Sequence, residues 1–137
     1  MTDNMWRIRV AVLWIADAIA VTATFILALY EPGFLDEILL GRLEGMDINM
    51  GVLLLAAFFW LVPLFMMYFS LVLKRSALRW LNIVFGLLLG LMNLYDFIGQ
   101  VTALEAVGMA RAIMVALMAV IPFMIAWHGW KWPGENE

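Results

Sequence analysis

A chain of 137 residues that is 66% hydrophobic and 14% charged is not composed like a soluble domain, which is about half apolar and a quarter charged. The length is that of a single domain, 1–137, with no second core. The chain has no cysteine, which excludes disulfides, thiol redox chemistry and Cys-ligated metals, and its net charge of −3 is small enough that distribution matters more than sum.

Residues 1–5 form a short polar tail. Arg7 and Arg9 precede an apolar run that continues to Tyr30, longer than the core of a signal peptide and without a small-residue cleavage site. The run is expected to be a first transmembrane helix, about 6–30. It carries one ionisable residue near its middle, Asp17, with Thr24 seven residues on along the same face. Ala16, Ala20 and Thr24 supply a small-residue surface for packing.

Glu31-Pro32-Gly33 stops this helix. In the following segment, 34–50, Phe34, Leu35, Ile38, Leu39 and Leu43 recur at helical spacing, while Asp36, Glu37, Arg42 and Glu44 take the other side. It is too short and too charged to span a bilayer, and is expected to be a short amphipathic helix in the interface, divided by Gly41 and Gly45. Two roles suit it: a solvated cap on the bundle, or a lid over a cavity.

The second span is expected over about 51–73, with Pro63 kinking its middle. Phe58, Phe59, Trp60, Phe65, Tyr68 and Phe69 make it the aromatic-rich helix. Such residues suit lipid and core as well as a flat hydrophobic ligand. A basic turn holding Lys74, Arg75 and Arg79 leads into the third span, about 78–100. Here Asn82, Gly86, Asn93, Asp96 and Gln100 share one helix face, which must meet other helices or a wet cavity, not lipid. Gly86 and Gly90 let a neighbouring helix approach closely. Asn82 and Asn93 suit interhelical bonding; Asn93, Asp96 and Gln100 suit the wall of an outward-facing pocket.

The fourth span is expected over about 103–127. Gly108, Ala112, Ala116 and Ala119 form a small-residue face, with Glu105 at its outer end. Arg111 lies more than a turn inside the membrane boundary, where an arginine needs a partner or a water path. Trp127, Trp130, Lys131 and Trp132 form an interfacial belt in which His128 is an anchor.

With four spans, Arg7, Arg9, Lys74, Arg75, Arg79 and Lys131 fall on one side and Arg42 alone on the other. The positive-inside rule then puts both termini in the cytoplasm and segment 31–50 outside the cell (inner) membrane. On that topology Asn93 and Arg111 share a depth, and Arg111 has three candidate carboxylates in Asp17, Asp96 and Glu105. Asp17, Thr24, Asn82, Asn93, Asp96, Gln100, Glu105 and Arg111 are therefore the candidate ligand-binding or polar-network residues. No catalytic or metal-ligating residue and no cofactor is assigned: one histidine without cysteine makes no ordinary zinc or haem site, and no Gly-rich phosphate loop is present. The short basic turn is a topology signal and no nucleic-acid footprint.

Leu13-Trp14 with Asp17, Leu43-Glu44-Gly45-Met46, Arg79-Trp80 with Asn82-Ile83, and Trp127 with Trp130-Lys131-Trp132 give the chain a resemblance over most of its length. It resembles a domain-of-unknown-function family of small four-helix prokaryotic membrane proteins. The resemblance implies topology and no activity. It also implies a carboxylate before the proline of the second span and another in the fourth, where this chain has the apolar Leu61 and Met118.

The reading is thus an all-α polytopic membrane protein, a four-helix transmembrane bundle with a short interfacial helix between the first and second spans. The expected function is binding or carrying a small hydrophobic or amphiphilic molecule in an outward-facing polar pocket. The alternatives are an accessory subunit or homo-oligomer in the bilayer, and a proton-coupled transporter or intramembrane acid-base enzyme using Asp17 or Asp96.

Overall fold

A computed structural model describes residues 3–43, 45–102 and 109–132. In chain order these form α1 (Asp3–Ala28), α2 (Phe34–Leu39), β1 (Arg42–Leu43), β2 (Met46–Asp47), α3 (Met50–Val72), α4 (Arg75–Thr102) and α5 (Met109–Lys131). Four of the helices, α1, α3, α4 and α5, are long and apolar enough to cross a membrane, and α2 is a short helix between the first two. Each needs about 20 apolar residues to span the hydrocarbon layer.

The boundaries follow from local chemistry. Gly33, at the N-cap of α2, takes φ 85°, the left-handed region that an L side chain resists. The helical pattern expected to run through residues 34–50 stops at Leu39. Gly41 and Gly45 adopt φ 75° and 78°, and the chain turns into a two-residue hairpin with Arg42 opposite Asp47 and Leu43 opposite Met46. Two left-handed glycines convert an amphipathic repeat into one and a half helical turns followed by a turn and a ribbon. Asn49 starts α3 by accepting a hydrogen bond from the Val52 amide at 3.1 Å. Only Leu73 and Lys74 separate α3 from α4, so most of the basic turn is the first turn of α4.

The long helices form an incomplete ring. α4 packs along α5, α5 along α1 and α1 along α3, while α3 and α4 barely meet despite their short connection. The α4/α5 seam is closed by small residues. A Cβ on Gly86 would lie 2.7 Å from the Pro122 carbonyl oxygen and 2.9 Å from the Ala126 amide, and one on Gly129 would lie 3.1 Å from the Arg79 carbonyl. The main core joins Val10 and Trp14 of α1, Met66 of α3, Leu78 and Leu89 of α4, and Ile125 of α5, with Trp132 just beyond α5. A smaller cluster of Ala20, Val21 and Met118 lies further along α1 and α5.

Both described chain ends lie at one end of the bundle. Asp3 binds them together there: it accepts from Arg7 at 2.7 Å and from the Trp132 indole at 3.0 Å, and Arg75 lies 3.6 Å away. Arg7 also donates to the Leu73 carbonyl at 2.7 Å. Asp3, read from the sequence as part of a polar tail, is thus a staple between α1, the α3–α4 connection and the end of α5. This is called the terminal end below, and the opposite one the hairpin end.

Candidate functional site

Three of the candidate polar residues are held by bonds between helices. Asn82, fully buried on α4, accepts from the Trp14 indole at 2.8 Å, which ties α4 to α1 across the bundle. Asn93, also on α4, donates to the Met118 carbonyl at 2.8 Å. Pro122 has no amide hydrogen, so the carbonyl four residues before it, that of Met118, has lost its helical partner. Asn93 supplies the missing donor from the neighbouring helix. Thr24 donates to Ala20 within α1 and meets the Met118 sulfur at 3.0 Å, so Met118 is shared by α1 and α4.

Nearer the hairpin end, Gln100 donates to Asp96 one turn earlier on α4 at 3.1 Å. Arg111, 9% exposed, donates to Glu31 at 2.9 Å, and its guanidinium lies 5.7 Å from the centre of the Phe34 ring. Glu31 was read as a boundary residue, whereas it closes over Arg111 from the turn after α1. The signal was present, since an arginine at that depth needs a partner or a water path. What sequence spacing lacks is the fold-back of the 29–34 turn onto α5. Glu105, one of the expected partners, lies outside the described residues, as does Glu44 of the acidic segment.

Asp17 stands apart. It is 1% exposed on α1, and neither carboxylate oxygen has a hydrogen-bond partner among the described residues. The pairing of Arg111 with Asp17 is therefore absent. The Asn82 side-chain nitrogen is likewise buried with no acceptor. Among the described residues, no three His, Cys, Asp or Glu side chains converge on a metal-sized site.

The parting of α3 from α4 leaves a groove open to the bundle's outer surface. Its volume is about 530 Å³. The wall from α3 includes Leu54, Phe58, Phe65 and Phe69, and α4 contributes Leu81 and Phe85. Leu61, at the place where the resemblance implies a carboxylate, also lines it, whereas Met118, the second such place, is buried against Thr24 and Asn93. The aromatic content of α3 is legible in the sequence, but its failure to pack on α4 is not.

Over residues 2–128 the sequence matches the family described as "Family of unknown function (DUF6326)". No curated protein and no solved structure matches the chain.

Proposed function

The chain belongs to this family of unknown function, and from that premise we propose that it binds or carries a small hydrophobic or amphiphilic molecule, taken up from the bilayer through the groove between α3 and α4. The observation that carries the reading is the groove itself: a concave apolar surface of about 530 Å³, within the ~300–1,000 Å³ of small-molecule sites. Its aromatic wall suits rings and chains, and its opening faces the layer in which such molecules dissolve. Nearer the hairpin end Gln100 and Asp96 bond each other along α4 and Glu31 closes over Arg111, so the binding surface favoured by the geometry is lateral.

We place the terminal end in the cytoplasm of a prokaryotic cell, with residues 31–50 outside the inner membrane, because Arg7, Arg9, Lys74, Arg75, Arg79 and Lys131 gather at that end. An accessory or self-associating role has one observation in its favour. α3 is the least buried of the four long helices, with 11% of its most apolar window buried against 33–39% in the others.

Native mass spectrometry of the protein released from lipid nanodiscs tests the reading. The expected result is a retained small molecule or lipid in the wild type that is lost in Ala57→Trp, since Ala57 lines the groove from α3 and an indole there would fill it. Retention unaffected by Ala57→Trp, or a chain that carries nothing, refutes a groove-binding function. A dimer without added mass transfers the weight to the accessory reading.

A further inference from the structure

Asp17 is a buried carboxyl without a donor among the described residues, and its level in the bundle is set by the contacts on either side. α1 packs along α3. Near the terminal end Arg7 reaches the Leu73 carbonyl, and towards the hairpin end the Phe25 and Trp60 rings meet at 5.9 Å. Asp17 lies about midway between Arg7 and Phe25, as Met66 does between Leu73 and Trp60, so the two share a level. Both are buried, and Met66 also lines the groove. Met66, an unbranched thioether that changes rotamer easily, is thus the buried side chain of the groove wall that stands at the carboxyl level. Pro63, buried one turn along α3, removes a backbone bond at that place and lets the helix bend.

We propose that Asp17 is the polar recognition point of the groove and that the ligand is a lipophilic cation or an amine-bearing amphiphile. Its apolar body lies along the aromatic wall, and its charged or N–H group reaches the Asp17 carboxyl past Met66. This rests on the groove reading above. The chemistry selects this class in two ways. A carboxyl left without donors in an apolar interior is stabilised in its charged form by a ligand that supplies positive charge or N–H groups. Phe58, Phe65 and Phe85 line the groove, and aromatic rings attract a cation through their negative faces. The basic side chains of the described residues lie towards the two ends of the bundle, with Arg111 engaged by Glu31, so none occupies the middle level in the ligand's place.

The test is equilibrium binding of tetraphenylphosphonium and of the neutral triphenylphosphine oxide to the full chain in phosphatidylcholine nanodiscs, with empty nanodiscs subtracted. Wild type should bind the cation saturably and about tenfold or more tighter than the neutral compound. Asp17→Asn should remove that preference and leave neutral binding in place, Asp17→Glu should retain the preference, and Ala57→Trp should abolish both. Equal affinity for the two compounds, or cation binding unchanged in Asp17→Asn, overturns the role of Asp17 while leaving the groove reading intact. Loss of both compounds in Asp17→Asn and Asp17→Glu alike marks Asp17 as structural and also overturns it. If wild type binds neither compound, the inference and the groove reading fall together.

Discussion

Met118 carries a backbone carbonyl that its own helix cannot satisfy, and the bundle answers with Asn93. Without water in the hydrocarbon layer an orphaned carbonyl is costly, so a proline in a spanning helix needs such a donor nearby. The dependence is testable because it predicts which partner removes it. Asn93→Ala should destabilise the protein by about 1 kcal/mol, within the range of interhelical side-chain bonds in membranes. In a Pro122→Ala background residue 122 regains its N–H, the Met118 carbonyl regains its helical donor, and the cost of Asn93→Ala should fall towards zero. A double-mutant cycle by thermal unfolding in detergent reads the coupling directly; equal costs in both backgrounds would remove this account of Asn93. Arg111 obeys the same logic with charge in place of a carbonyl, since Glu31 at 2.9 Å neutralises a guanidinium that is nearly out of reach of solvent.

Between elements, the decisive property is how closely two backbones can approach. In lipid no hydrophobic effect drives helices together, so contact comes from close packing over small residues. α4 turns Gly86 towards α5, where backbone atoms already occupy the space of a side chain. α3 offers α4 bulky residues such as Phe58, Phe65 and Phe69, and the two part into the groove. Gly86→Ala should therefore cost about 1–3 kcal/mol, because its methyl meets the rigid Pro122 carbonyl and Ala126 amide. Gly90→Ala should cost clearly less: its Cβ would stand 3.1 Å from the Phe123 ring, a side chain that can turn aside. Tryptophan-fluorescence melting of the two variants in one detergent decides the order, and equal losses would mean that the seam does not depend on backbone approach at Gly86.

At the scale of the molecule the four helices make a ring broken at one seam, stapled at the terminal end by Asp3 and at the hairpin end by Glu31 and Arg111. The proposed orientation of that ring can be read by labelling, since the native chain has no cysteine to interfere. With a membrane-impermeant maleimide on intact cells, Met46→Cys in the hairpin should label, and Ser76→Cys at the start of α4 should label only after permeabilisation. The reverse pattern would invert the orientation.

Much of this was legible in the sequence because it depends on one-dimensional properties. An apolar run long enough to span, closed by Glu31-Pro32-Gly33 or by the Lys74 and Arg75 pair, defines a helix in lipid whatever surrounds it. The shared face of Asn82, Gly86, Asn93, Asp96 and Gln100 likewise follows from helical periodicity; Asp96 is half-buried and the other four are buried. The sequence also showed that Arg111 needs a partner or a water path, but periodicity carries no information on which helices are neighbours or how a turn folds back. Those choices, Glu31 for Arg111, Trp14 for Asn82, the Met118 carbonyl for Asn93, no partner for Asp17 among the described residues, and an open seam between α3 and α4, depend on the rotation of each helix about its axis. Tertiary packing sets that rotation through the close approach of backbones at Gly86 and Gly129 and the bulk of the side chains on α3.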